Sequence, residues 1–235
     1  MLKKWYKQTI FLISACITLV IILLLAVSMP ILTIAAITPH LAYLIYVWIK
    51  EEVEREPLAA LFMVFSYGFI VSSTLAIIIE GVLVDALNLA DVYALLLLAP
   101  IVEELTKFSG VYLVAKNRRL FNEIDDGIVY GASAGLGFSA IETILYAMAC
   151  EDPLFVSLIR AISSTASHAA ATALSGLGLA LYMFRGSISS LPLLFMCAIL
   201  LHMVHNFMVM MGPFTLLILI VIDLSVFLLT VMRVE

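Results

Sequence analysis

The sequence predicts an all-α polytopic membrane protein of about eight transmembrane helices, with cytoplasmic N- and C-termini. Three observations carry that reading. Of 235 residues, 64% are hydrophobic and only 12% charged, and the mean hydropathy is +1.18, which is more apolar surface than a soluble domain can bury. Apolar runs of membrane-spanning length recur along the whole chain. The basic residues fall on alternate connections between those runs.

In chain order the spans are expected at about 9–28, 30–49, 58–80, 91–115, 127–149, 153–184, 188–211 and 213–232. Met1-Leu2-Lys3-Lys4 ahead of the first run resembles a signal peptide. The run is too long for one and no small-x-small cleavage site follows, so it reads as an uncleaved first span. Pro30 and Pro213 stand at tight joints, where a helix starts readily on proline. Lys50–Pro57 reads as a solvated charge run, and Lys116–Asp126 as a second polar connection. Asp125 and Asp126 precede a helix start, where the dipole favours acids. Glu80, Asp85 and Asp91 read as solvated loop or helix-end residues.

Lys3, Lys4, Lys7, Lys50, Arg55, Lys116, Arg118, Arg119, Arg185 and Arg233 occupy one set of connections, and the other set has no Lys or Arg. Eight spans with both ends in the cytoplasm satisfy this pattern without exception. The organisation is one transmembrane domain over 1–235: three accessory helices in 1–90, a four-helix catalytic core in 91–210, and a last helix in 213–235. Cys16, Cys150 and Cys197 are scattered singly and predict no disulfide framework.

The informative residues are the polar ones inside spans. Glu103, Glu104 and Lys107 lie in the fourth, Glu142 in the fifth, His168 in the sixth, and His202, His205 and Asn206 in the seventh. Each ionised group at mid-span costs about 2.5–3.5 kcal/mol on insertion scales, so these groups have to face the bundle interior and find partners there. Glu103 shares a helix face with Lys107, as does Glu104, and His202 shares one with Asn206. A rise of 1.5 Å per residue puts Glu103 about 15–18 Å below the extracytoplasmic surface, Glu142 ~12 Å, His202 ~15 Å, Asn206 ~9 Å and His168 ~15–22 Å. Antiparallel neighbours thus bring them to one level. Pro100 removes the helical partner of the Leu96 carbonyl. Gly131, Gly135, Gly137, Gly176, Ser163, Ser164, Ser167 and Ala169–Ala171 permit close helix approach. His40 reads as a satisfied core histidine, His205 as either site-supporting or structural, and Arg160 as snorkelling outward or pairing with Glu151 or Asp152. Asp223 has no evident role.

Converging carboxylates and imidazoles suit water activation. A Glu beside a cation can act as general base, and an imidazole and an amide can stabilise an oxyanion. The same side chains equally suit Zn2+, for which His and Glu are ordinary ligands. No Gly-Asp pair and no His-Glu-x-x-His occurs.

Glu103-Glu104-x-x-Lys107, Phe138-x-x-x-Glu142, His168 in His-Ala-Ala-Ala-Thr-Ala-Leu-Ser-Gly, and His202-x-x-x-Asn206 resemble the four motifs of PrsW-type intramembrane proteases. That group lies in the superfamily of CAAX prenyl endopeptidases and bacteriocin-processing enzymes. The likeness spans about residues 91–210, with one motif on each of four successive spans. One position departs: Thr143 stands where the family has Asn. The resemblance implies an intramembrane endopeptidase acting on membrane-anchored proteins of the anti-sigma-factor kind. Glu103 would be the water-activating base with Glu104 and Lys107 assisting, and Asn206 an oxyanion or positioning group. Glu103, Glu142, His168 and His202 would be metal ligands if zinc is used. The implied partners are a membrane protein or peptide substrate and the lipid bilayer of a prokaryotic plasma membrane, with no nucleic acid. Two other classes share these features. One is a non-catalytic scaffold related to the γ-secretase scaffold subunit, against which both glutamates argue. The other is an ion or proton transporter, against which the lack of an inverted repeat argues.

Overall fold

The computed structural model describes residues 9–51 and 54–232. Lys3, Lys4, Lys7 and Arg233, four of the residues behind the orientation reading, and the Met1–Lys4 segment lie outside the described residues. All regular structure among the described residues is helical, and six helices are long and apolar enough to cross a membrane.

The described residues begin with α1 (Thr9–Ser28) and α2 (Pro30–Lys50), joined at Met29 with Pro30 opening α2. A continuous 30-residue rod follows, α3 (Leu58–Tyr67) and α4 (Ser73–Leu87) linked by a π turn at Gly68–Ser72. It runs past the expected end at residue 80, so Glu80 sits inside a helix with a buried Oε1 and is no solvated loop residue. A short α5 (Asp91–Tyr93) passes through a second π turn (Ala94–Leu98) into α6 (Ala99–Ala115). Then come α7 (Asp125–Ala149), α8 (Pro153–Ile162), α9 (Ser164–Arg185), α10 (Ser190–Met210) and α11 (Pro213–Val231).

The expected sixth span is therefore two helices, broken at Ser163. Hydroxyls there bond to backbone carbonyls: Ser163 Oγ donates to Ile159 O at 3.0 Å and Thr165 Oγ1 to Arg160 O at 3.0 Å. Local bonds of this kind compete with the helical ladder. The two expected spans absent from the six long apolar helices, α5–α6 and α9, carry Glu103, Glu104, Lys107 and His168.

α7 is the centre of the bundle, buried continuously from Asp126 to Ala140, and its principal neighbour is α9. Glycines bring the two backbones into contact. A Cβ on Gly131 would stand 2.5 Å from Thr172 O, and one on Gly135 2.2 Å from His168 O. On its other side α7 meets α3 and the first π turn, where a Cβ on Gly137 would overlap Phe65 O and one on Gly68 would overlap Ala134 O. Small residues at an interface let helices gain dispersion contact that lipid tails cannot replace. α10 lies on the far side of α9, α11 packs on both, and α2 packs against α7 and α8. His40 of α2 is fully buried and both its ring nitrogens have partners: Nδ1 with Ala36 O, and Nε2 with the Ser139 and Thr165 hydroxyls. Leu23, Leu24 and Val27 of α1 and Leu217, Val221 and Leu229 of α11 stay exposed, as expected of surfaces that face lipid.

The Lys50–Pro57 connection is not a uniformly solvated run. Glu51 and Glu56 are buried. Glu51 Oε2 accepts from Glu56 N at 2.8 Å, Trp48 Nε1 donates to Glu56 O at 2.9 Å, and the Tyr130 hydroxyl donates to Glu56 Oε2. Burial away from water raises both carboxyls to about 7. Asp125 and Asp126 open α7 as expected, and Asp126 Oδ2 accepts from the amides of Asn122 and Glu123 at 2.6 and 2.7 Å.

Candidate active site

α6 presents Glu103, Glu104 and Lys107 on one face toward α9 and α10, since residues three and four apart stack on a helix. Lys107 and Glu104 are fully buried. The Lys107 ammonium lies 2.7 Å from Glu104 Oε1, 3.3 Å from Glu103 Oε2 and 2.8 Å from His168 Nδ1, and 4.4 Å above the Phe138 ring. Glu104 is saturated. Oε1 meets Lys107 and His202 Nδ1 (3.1 Å), and Oε2 accepts from the Thr172 hydroxyl at 3.0 Å.

Glu103 is the opposite case. Its buried Oε2 accepts no hydrogen bond; beyond the ion pair with Lys107 at 3.3 Å it stands 3.7 Å from His202 Nε2 and 4.0 Å from His168 Nδ1. Glu103, His168 and His202 can each offer one ligand atom such that all lie within 4.8 Å of one another. A buried carboxylate oxygen that accepts no hydrogen bond and faces two imidazoles is the donor set of a divalent metal such as zinc.

The tautomers follow from the donors. An ammonium can only donate, so His168 Nδ1 accepts from Lys107 and the proton sits on Nε2, which lies 2.9 Å from Glu142 Oε2. His202 gives its Nδ1–H to Glu104, leaving the Nε2 lone pair toward Glu103. Each imidazole is thus backed by its own carboxylate, the arrangement that orients metal-ligating histidines. Glu142, expected among the ligands, stands outside the trio, behind His168.

Three expectations change at the edges of the site. Arg160 meets neither Glu151 nor Asp152; its Nη2 pairs with Glu142 Oε2 at 2.8 Å. The break at Ser163 ends α8 beside α7, so the guanidinium reaches inward. Thr143, the departing position, accepts from Arg160 Nε at 3.2 Å and so keeps a hydrogen bond. The carbonyl that loses its partner to Pro100 is Leu95, not Leu96. The second π turn bonds each amide five residues back, as Ala99 N does to Ala94 O, and Pro100 has no amide to continue the series. Asn206 Nδ2 donates to that Leu95 carbonyl at 3.0 Å.

His205 and Asp223, without clear roles in sequence, form a buried pair at 2.8 Å that ties α10 to α11. Gly131-Ala132-Ser133-Ala134-Gly135 also spells Gly-x-Ser-x-Gly, the pattern of a strand-to-helix nucleophile turn. Here it lies mid-helix and Ser133 Oγ donates to Val129 O at 2.8 Å, so the run serves packing.

A helical membrane bundle with a buried carboxylate and two carboxylate-backed imidazoles defines the class: a polytopic membrane protein with a hydrolase-type His/Glu centre. Comparison with known proteins agrees. The model of the PrsW family of intramembrane metalloproteases matches residues 56–232, and the chain belongs to that family. Its relatives named Protease PrsW include that of Geobacillus kaustophilus, 31% identical over 142 residues, 60% of this chain and 62% of the relative. That of Oceanobacillus iheyensis is 29% identical over 177 residues, 74% of this chain and 80% of the relative. That of Clostridioides difficile is 30% identical over 190 residues, 76% and 79% of the two chains. No solved structure matches the chain.

Proposed function

We propose that the chain is an intramembrane endopeptidase, cutting membrane-anchored proteins of the anti-sigma-factor kind with a water activated at Glu103. The observation that carries this reading is the buried Oε2 of Glu103, ion-paired with Lys107 at 3.3 Å but accepting no hydrogen bond, between two imidazoles. A buried carboxylate kept ionised by a neighbouring ammonium, with no hydrogen bond of its own, can accept a proton from a water held beside it. Glu104 does not compete for that role, because Lys107, His202 and Thr172 occupy it. It orients His202, while Lys107 balances the two acids. Asn206 holds the backbone just ahead of the glutamates.

The residues fit zinc: Glu103, His168 and His202 would hold it, with Glu142 and Glu104 behind the imidazoles. Bound there, the ion would supply Lewis acidity and lower the pKa of a water. The Lys107 ammonium and the ion are alternative partners for His168 Nδ1. The working core is residues 91–210, in a bacterial plasma membrane, with both termini cytoplasmic and the site reached from the extracytoplasmic half.

The test is Glu103→Gln in purified full chain with a membrane-anchored peptide substrate. Cleavage is expected to fall by at least ~100-fold, as for loss of a general base, with the melting temperature unchanged. Cleavage at the wild-type rate would overturn the assignment. Metal analysis of the same preparations is expected to find zinc in the wild type and little in His168→Ala or His202→Ala.

A further inference from the structure

Between α2 and α3 the surface opens into a groove of about 380 Å3, lined by Leu41, Leu44, Ile45, Leu58, Ala59 and Phe62. Its cause is local. Trp48 Nε1 donates to Glu56 O at 2.9 Å and draws the start of α3 toward the end of α2, yet the two helices scarcely touch. Ala59 offers only a methyl group to fill the gap between them. Ile45 and Leu58 stay 46% and 42% exposed, so the groove is open at its side.

One end of the groove is cationic. Leu41, Leu44, Ile45 and Trp48 share a face of α2, because residues three, four and seven apart stack on a helix. Trp48 is the last of them, just before the helix ends at Lys50. The Arg55 guanidinium lies over its ring, Cζ 4.9 Å from the centroid. Arg55 is exposed. Its Nε and Nη2 donate to Glu51 O and Ile49 O at 3.4 and 3.3 Å, and Nη1 has no partner among the described residues. Two neighbouring acids are engaged elsewhere: Glu54 Oε2 accepts from Asn122 Nδ2 at 2.9 Å, and Glu56 Oε2 from the Tyr130 hydroxyl.

We propose that this groove is a phospholipid site, with one acyl chain lying along residues 41–45 and 58–62 and the headgroup phosphate on Arg55 beside Trp48. A cleft lined by carbon and open to the hydrocarbon core takes up acyl chain, the apolar material around it. A planar guanidinium with a free nitrogen matches the oxygens of a phosphate. A tryptophan at the end of a span marks the headgroup level. From Leu41 to Trp48 the helix rises about 10 Å, so a chain seated in the groove brings its phosphate level with Arg55. The lipid would brace α2, whose His40 meets Ser139 and Thr165, against α3. The site shares no residue with the His/Glu centre and does not depend on its chemistry.

The test uses the full chain in detergent micelles, with dioleoyl phosphatidylglycerol and dioleoylglycerol, which lacks the phosphate, as probes. Native mass spectrometry reads retained lipid. A phosphatidylglycerol with a diazirine in one acyl chain maps the contact by peptide sequencing. Wild type is expected to retain phosphatidylglycerol over the diacylglycerol, with label concentrated on residues 41–45 and 58–62. Arg55→Gln is expected to lower phosphatidylglycerol affinity roughly ten-fold. Arg119→Gln removes a second exposed cation, on the connection that Asn122 ties to Glu54, and is expected to leave affinity unchanged. Ala59→Trp fills the groove and is expected to remove the label there, melting within a few degrees of wild type. Equal losses in Arg55→Gln and Arg119→Gln would overturn the proposal in favour of diffuse attraction. So would label spread evenly over the lipid-facing helices, equal retention of the two lipids, or a dimer whose interface covers the groove without lipid. Should Ala59→Trp fail to fold, the wild-type label map and Arg55→Gln decide.

Discussion

Asn206 illustrates how a single amide is drawn into place by a defect in a neighbouring helix. Pro100 interrupts the π turn, the Leu95 carbonyl loses its donor, and the Asn206 side chain supplies one. Asn206→Ala is expected to leave that carbonyl unsatisfied, which costs about 1–3 kcal/mol for a buried group. It should also loosen the entry to α6, lowering kcat roughly ten-fold with little change in zinc content; kinetics paired with metal analysis check this. Periodicity and depth made much of this scale legible. Glu103, Glu104, Lys107, His168, His202 and Asn206 could be named because an ionisable or amide group within a span demands a partner. The pairing of Lys107 with Glu103 and Glu104 followed from their spacing; which partner each group finds on another helix was not legible. Glu142 against Arg160, and His205 against Asp223, depend on where helices end and how they rotate, and apolar sequence on both sides of Ser163 hides the end of α8.

At the scale of the helix, the glycines of α7 matter more than any side chain on it. Gly135 abuts the carbonyl of His168 itself, so the spacing of these two backbones sets the height of the imidazole over Glu103. Gly135→Ala would drive a methyl group to 2.2 Å from that oxygen. Overpacking of this kind typically costs 1–3 kcal/mol, and with rigid backbone on both sides the cost should lie at the upper end. The expected outcome is a lower melting temperature together with loss of metal binding. Gly81, inside α4 with nothing near its missing Cβ, is the matched control: Gly81→Ala should leave metal binding unchanged and hold or raise the melting temperature. The glycine stripe could be read from sequence. The split of the sixth span and the two π turns could not, because each shifts hydrogen-bond partners by a residue or less per turn without altering hydropathy.

Across the whole molecule, acids are gathered at two levels, one around Glu103 and one at the connection between α2 and α3. At the second level Glu51 and Glu56 are raised to about 7 from a reference of 4.5, mainly by burial. A carboxyl that holds its proton more tightly when folded contributes stability at low pH and loses it as pH climbs from about 4.5 to about 7. The melting temperature is therefore expected to fall between pH 5 and pH 8. Glu51→Gln and Glu56→Gln should flatten that slope and raise the melting temperature at pH 8; thermal melts across a pH series measure both. Sequence charge counting read this stretch as solvated, since only packing against Trp48 and Tyr130 encloses it.

Backbone contact on two sides leaves α7 without slack, against α9 along Gly131 and Gly135 and against α3 along Gly137. A helix clamped in this way acts as a keel and cannot tilt aside to admit a polypeptide. On the proposed mechanism, any route by which a scissile bond reaches Glu103 has to open through side-chain rotation, or through elements that touch the keel lightly. Inhibitors that wedge those lighter elements apart would then be easier to find than ones that pry at the keel itself.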